Sequence, residues 1–436
     1  MSLLRLACFS VLAFASLATA YSPSNNRWNK HRLGKMVARQ ATTSTSASAS
    51  TTSLVADSAC THGPTSRACW SNGFSIATDF DLKFPDTGRT RSYNFELTNA
   101  TCNPDGNGDQ PCYLINNQYP GPTVFADWGD TITINVKNSL QDNGTSIHWH
   151  GIRQYNSFGE DGVNGITECA LAPGDSRSYT FKATQFGTSW YHSHYSSQYG
   201  SGVIGPIVIN GPASANYDVD LGPLTINEWY YATAEQIQEA ALVNAQSQGP
   251  APPADNILLN GTNGGSGGNY HQVTLTPGKK HRLRLINTSV DNYFRVKLDG
   301  HAFTVMTADF IPIEPIPGTD WLLIAIGQRY DVVFTANQTA GTYWFRAESA
   351  SDCVSLANGH GRALFTYSGE TVNAPTDSNE TPPTDGCLEV NTIPYWDQSV
   401  DQDTFSSQVK TLGTDFSEGV TAEGENLLLW SLNITC

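Results

Sequence analysis

His148-Trp149-His150-Gly151 and Gly187-Thr188-Ser189-Trp190-Tyr191-His192-Ser193-His194 each carry a His-x-His pair beside bulky aromatic residues. In an extended strand residues i and i+2 point to the same face. Each pair therefore aims two imidazoles in one direction, roughly 6.6 Å apart at the backbone. Two such strands side by side make a cluster of four imidazoles. Imidazole suits zinc, copper, iron and nickel, so the cluster reads as a transition-metal site. A single pair would pass as ordinary strand content; two pairs with the same aromatic flank favour the metal. His271, His281, His301 and His360 are single and read as surface or hydrogen-bonded residues.

The sequence around the pairs is a series of short β runs broken by Asn-Gly, Pro-Gly and Gly-Asp steps, as expected of a sandwich or barrel. The runs are Phe74 to Phe84, Ser92 to Leu97, Thr131 to Val136, Ser146 to Ile152, Ser178 to Lys182, Thr188 to His192 and Val203 to Ile209. Helix signals are few, and the alanine-rich run Ala232 to Ala245 is the best of them. A second β-rich block from about Leu221 to Tyr367 echoes the first. Gly341-Thr342-Tyr343-Trp344-Phe345-Arg346-Ala347-Glu348 follows the pattern of Gly187 to His194, with Arg346 and Glu348 where the first copy has His192 and His194. Internal duplication is the economical reading, with metal in the first block and support from the second. Met306 lies in an apolar strand and reads as core filler.

The N-terminus reads as a secretory signal, with Arg5, an apolar run from Ala7 to Leu17 and the exit Ala18-Thr19-Ala20. No later apolar stretch is long enough to span a membrane. Without its first 40 residues, which hold six of the 24 basic and none of the 40 acidic residues, the chain has a net charge of −22. Such a surface repels nucleic acid and anionic membrane and leaves small phenols, neutral solutes or cations as partners.

The cysteines fit an oxidising compartment. Cys60 and Cys69 are close enough for a small-loop disulfide, and Cys102 with Cys112 is a further pair. Cys353 with Cys387 would close a loop worth roughly 4 kcal/mol. Cys169 and Cys436 are left over. Sequons at Asn99, Asn143, Asn260, Asn287, Asn337, Asn379 and Asn433 are possible glycosylation sites.

Pro120-Gly121-Pro122-Thr123, Asp127-Trp128-Gly129-Asp130, Thr145 to Gly151, Asp161-Gly162, Thr167-Glu168-Cys169, Gly187 to His194 and His281 to Asn287 together resemble the ascomycete branch of the fungal laccases, in the multicopper oxidase family. The resemblance covers nearly all of residues 58–390. It implies an all-β chain of tandem cupredoxin-like (plastocyanin-like) Greek-key β-sandwich domains. The divisions expected are a signal peptide over 1–20, a propeptide and Ser/Thr/Ala-rich spacer over 21–57, a copper-binding domain over 58–212, a structural and substrate-rim domain over 213–370, and a linker with the start of a third domain over 371–436.

The activity implied is one-electron oxidation of phenols or related aromatics with reduction of O2 to water, by a secreted glycoprotein. His148 would ligate the type 2 copper, and His150, His192 and His194 the type 3 pair. Asp161 matches an acid that helps deliver protons to reduced oxygen. Asp291 matches the carboxylate at the phenol pocket that accepts the phenolic proton. Four coppers serve a complete enzyme of the family, and fewer are expected here. The family's remaining ligands, including the type 1 cysteine, come from a third domain that this sequence mostly lacks, as the leftover Cys169 also suggests. The expectation is a chain without a type 1 site, inactive alone unless a partner chain supplies that domain. Two other classes fit the bare histidines: a secreted copper-binding module without turnover, and a zinc hydrolase, for which no acid is suitably placed.

Overall fold

A sequence of short alternating strands builds two β-sandwiches in tandem. The computed structural model describes residues 61–246, 249–265, 267–376 and 380–396, together with the backbone of two later strands, all within one unit, Ala56–Cys436. The signal and spacer readings, Cys60, Cys436 and the sequons at Asn379 and Asn433 lie outside the described residues.

The strands of the first sandwich are β1 (Thr90–Cys102), β2 (Gln110–Ile115), β3 (Val124–Asp127), β4 (Thr131–Asn138), β5 (Ile147–Trp149), β6 (Ser176–Lys182), β7 (Gly187–Ser193) and β8 (Ile204–Asn210). They pair as two sheets in the orders β2-β1-β4-β6 and β3-β8-β7-β5. Alternation along the chain decides what each face buries. In β4, Ile132, Ile134 and Val136 point into the core while Thr133, Asn135 and Lys137 face out. Trp128, Trp149 and Tyr191 complete that core, and the Trp128 indole donates to the Thr184 carbonyl at 2.8 Å.

The second sandwich has β9 (Val219–Trp229), β10 (Asn256–Leu259), β11 (His271–Leu275), β12 (Lys280–Asn287), β13 (Phe294–Leu298), β14 (Phe303–Ala308), β15 (Ile311–Thr319), β16 (Leu322–Ile324), β17 (Arg329–Thr335), β18 (Thr342–Ser349) and β19 (Gly361–Tyr367). Its sheets run β10-β9-β12-β17-β14-β15 and β11-β19-β18-β13-β16. Each sandwich contains the same pattern. β9 lies parallel to β12 as β1 does to β4, and β11 lies parallel to β19 as β3 does to β8. β18 occupies the place of β7, between the counterparts of β8 and β5, so the sequence echo is a topological repeat. In the second copy Arg346 is paired with Asp299 at 2.7 Å, and Glu348 with Arg362 at 2.7 Å. Those positions are spent on ion pairs. Met306 is fully buried, as expected of core filler.

Helix α1 (Ala234–Gln246) falls where the alanine-rich run predicts it. It opens on a capping box: Thr233 Oγ1 accepts from the Gln236 N–H at 3.4 Å, and Gln236 Oε1 accepts from the Thr233 N–H at 3.0 Å. Past β19 the chain crosses the second sandwich, where the Glu314 N–H donates to Ile393 and the Tyr395 N–H to Pro312. A hairpin of β20 (Thr414–Val420) and β21 (Asn426–Leu432) follows.

One strand expectation fails. Residues Phe74 to Phe84 form a string of turns, with Asn72 and Gly73 at positive φ and both the Leu82 and Lys83 amides donating to the Asp79 carbonyl. Ile76 and Phe80 are buried in the first core with Phe74 packed against it, so their hydrophobicity reflects plugging a sandwich rather than pairing in one. Two strands carry little local signal: β2 opens on Gln110-Pro111 and its buried Cys112 and Ile115 do not alternate, and β3 is four residues long with its parallel partner far along the chain.

Disulfides join Cys102 to Cys112 and Cys353 to Cys387, and Cys69 is also disulfide-bonded. Among the described residues Cys169 is exposed and has no disulfide partner.

The fold also sorts the sequons. A folded protein can carry a glycan only on an Asn whose side chain reaches the surface, because the sugar is bulky. Asn99 and Asn337 are exposed, whereas Asn287 is fully buried with Nδ2 bonded to the Asn292 and Ile324 carbonyls. Asn260 Nδ2 is taken by Pro223 and the His271 ring. Glycopeptide mass spectrometry on protein from a secretory host should find sugar at Asn99 and Asn337 and none at Asn260 or Asn287. Sugar on Asn287 would contradict this fold.

Candidate metal centre

β5 and β7 are antiparallel neighbours, and their register sets His148 directly opposite His192. The alternate residues Trp149 and Tyr191 point the other way and fill the core, which fixes the imidazoles on the opposite face. His150 follows at the end of β5, its N–H donating to the Trp190 carbonyl at 3.0 Å. Ring nitrogens of His148, His150 and His192 all lie within 4.8 Å of one another. His194 stands at the rim, its ring centroid 5.6 Å from that of His148 and 6.1 Å from that of His192. The structure thus groups three of the four histidines closely and leaves the fourth exposed beside them.

Two rings are locked from behind. His148 Nδ1 donates to the Asp161 carbonyl at 2.8 Å, and His192 Nδ1 donates to the Ser193 carbonyl at 2.9 Å. In both, the proton held on Nδ1 leaves Nε2 with its lone pair free, the tautomer and orientation that metal-binding imidazoles take. His150 Nδ1 faces His192 Nε2 at 3.2 Å. Burial pulls all three below the ordinary histidine value: His150 to about 2, with Arg329 adding to the effect, and His192 to about 3. Neutral imidazoles with converging lone pairs are a metal-ready donor set.

Asp161 reaches this centre chiefly through its backbone, its carboxylate standing 3.5 Å from His148 Nδ1. The next residue, Gly162, has φ +76°, and a β-carbon there would stand 1.8 Å from the Ile147 carbonyl oxygen. The Asp161–Gly162 loop therefore lies flat on the backbone of β5.

Asp291 is elsewhere. It lines a cavity of about 310 Å³ with Tyr119, Tyr199, Tyr230, Ile237 and Val290, and burial raises its pKa. The cavity and the histidines share a wall, because the Tyr199 ring lies 5.2 Å from that of His192. Sequence reasoning missed the other acid here. Glu228, on β9, is buried, and burial raises its carboxyl to about 7 against hydrogen bonds from Asn292 and the Val290 and Asp291 amides. The signal was an acid inside the apolar run Leu224 to Tyr231.

Two multicopper oxidase family models match the chain, over residues 66–214 and 220–370. The chain belongs to the multicopper oxidase family. Among curated relatives in this family, laccase-3 of Botryotinia fuckeliana is 55% identical over 322 residues, covering 72% of this chain and 70% of the relative. The laccase of Neurospora crassa is 45% identical over 384 residues, covering 86% and 60%. The solved laccase of Botrytis aclada superposes with a TM-score of 0.73 at 38% identity, over 86% of this chain and 68% of that one. Similarity at this level places the chain with the fungal laccases of that family and makes its two sandwiches tandem cupredoxin-like domains, while the chain spans only about 60% of the length of relatives such as the Neurospora crassa laccase. Copper is the cofactor of the family, and buried neutral imidazoles with outward lone pairs suit it in both oxidation states. Among the described residues no helix is long and apolar enough to cross a membrane.

Proposed function

We propose that the chain carries the dioxygen-side copper ligands of a secreted laccase-type oxidase, which takes single electrons from phenolic or related aromatic reductants and reduces O2 to water. The observation that carries this reading is the arrangement of His148, His150 and His192, with Nδ1 of His148 and His192 spent on carbonyls and the ring nitrogens of all three converging within 4.8 Å, His192 Nε2 facing His150 Nδ1. These three residues would hold copper with His194 at the edge, and bound copper would supply the one-electron redox chemistry. Four imidazoles are too few for a four-copper set, so the remaining ligands would come from polypeptide outside the described residues, in this chain or a partner chain. Asp161 positions His148 and keeps a carboxylate beside it for proton delivery.

The aromatic-walled cavity is sized for a phenolic ring, with Asp291 and Glu228 as its acids. Burial raises both carboxyls, Glu228 to about 7, which suits a proton acceptor working near neutral pH. Copper content and oxygen uptake with a catechol, measured on the purified protein, test the reading as a whole. Retained copper that disappears when the centre's histidines are replaced supports it. A protein that takes up only zinc, or no metal, overturns it.

Glu228 has a stability signature of its own. Its folded pKa of about 7 lies above the ordinary 4.5, so the fold keeps a proton that the unfolded chain releases. Stability is full below about 4.5 and is lost as pH rises through 7, by up to about 3 kcal/mol. Denaturant titrations of Glu228→Gln should show this slope flattened, and phenol-driven oxygen uptake should fall by about a hundredfold.

A further inference from the structure

His148 and His192 are oriented by carbonyls, but His150 has no such partner among the described residues; its Nδ1 meets only the His192 ring. Packing must orient it instead. Trp190 lies along one side, with ring centroids 4.9 Å apart and planes 30° from parallel. The turn before β17 closes the edge: Gly327 has φ +73°, and a β-carbon there would stand 3.0 Å from His150 Cε1 and 3.2 Å from Nε2. This turn belongs to the second sandwich, which contributes no histidine to the cluster.

Arg329 holds that turn in place. Its side chain is buried, and its fork reaches three elements at once. Nη1 donates to the Gly327 carbonyl at 3.3 Å and pairs with Asp309 at 2.8 Å, while Nε donates to the Thr188 carbonyl of β7 at 3.1 Å. Nη2 lies over Gly151, the residue after His150, where a β-carbon would stand 2.6 Å from it. The guanidinium therefore ties the turn that touches His150 to the strand that carries His192.

We infer that Arg329 is a positioning residue for the histidine centre, fixing the His150 ring through the Gly327 turn. The inference rests on the metal reading of that centre. A lysine keeps the charge at this position but has no fork to span Gly327, Thr188 and Asp309. Losing an outer partner of a metal ligand commonly weakens metal binding ten- to a hundredfold.

The test uses the full chain with Cu(II) alone. Affinity is measured by chelator competition and ligand geometry by EPR, for wild type, Arg329→Lys, Arg329→Gln and Asp309→Ala. Asp309 is half-exposed, so its variant should fold even if the buried substitutions do not. The expected result is at least tenfold weaker copper binding in each variant, with a shifted EPR spectrum. Wild-type affinity and spectrum in variants that only melt earlier would make Arg329 a structural residue and overturn the inference. Tighter binding in Arg329→Gln with no change in Arg329→Lys would overturn it too, because the charge alone would then matter. A wild type that binds copper and variants that match it sink this inference alone; a wild type that binds none sinks the metal reading with it.

Discussion

Replacing His192 with asparagine is expected to reduce copper affinity by more than a hundredfold, beyond the ordinary cost of losing an outer partner. His192 sits opposite His148, its Nε2 faces His150 Nδ1 at 3.2 Å, and its Nδ1 is anchored on Ser193. An asparagine amide stops short of the point where the three nitrogens converge. Copper per chain, by elemental analysis after dialysis, and the Cu(II) EPR signal are the readouts. His281→Asn and His301→Asn supply the contrast. His281 Nε2 accepts from the Thr276 amide, and His301 is held between the Asp299 carbonyl and the Tyr367 hydroxyl. Those variants should lose stability and keep their copper. Asp161→Ala should also keep most of its copper, because the group that holds His148 is a backbone carbonyl. Full copper retention by His192→Asn would remove the centre from consideration.

The centre was legible because its information is local. A period of two carries each His-x-His pair towards one face as far as its strand runs, which brings His148 and His192 together and places His150 and His194 just past the ends of β5 and β7. The link between β7 and β18 was legible for the same reason, as one strand written twice. Residues that act through long-range packing were not. Glu228 matters because β9 buries it beside Val290 and Asp291, more than sixty positions away. Arg329 looks like any strand arginine until Thr188 and Gly151 of the other sandwich are seen beneath it. The segment from Phe74 to Phe84 misled in the opposite sense, since a plug and a strand bury similar residues and differ only in where their backbone hydrogen bonds go. The spacing of His194 from the other rings is likewise set beyond the end of β7, where the period-two rule no longer governs.

Asp331→Ala is expected to destabilise the fold by about 3–5 kcal/mol, the cost of breaking a buried ion pair from one side. Asp331 is fully buried on β17. It accepts from Arg282 and, at 2.6 Å, from the Thr188 hydroxyl, and Arg284 Nη1 lies 3.6 Å away. Burial works against the charge on Arg282, yet Asp331 and Asp220 hold it more firmly protonated than a free arginine. Without Asp331 two buried guanidinium groups would share only Asp220, which is 31% exposed and already committed to Arg284 at 2.7 Å. Asp331→Asn keeps an acceptor for Thr188 and should cost less than the alanine. Burial would raise Asp220, but Arg284 and Arg282 overcome it and bring its carboxyl to about 2. Its contribution is therefore present above the ordinary 3.8 and is lost as pH falls towards 2, so Asp220→Asn should differ little from wild type at the acid end and most near neutral pH. Urea unfolding midpoints across that range measure both effects. A change of less than 1 kcal/mol for Asp331→Ala would mean that Thr188, and with it the strand that carries His192, is held by something other than this buried charge network.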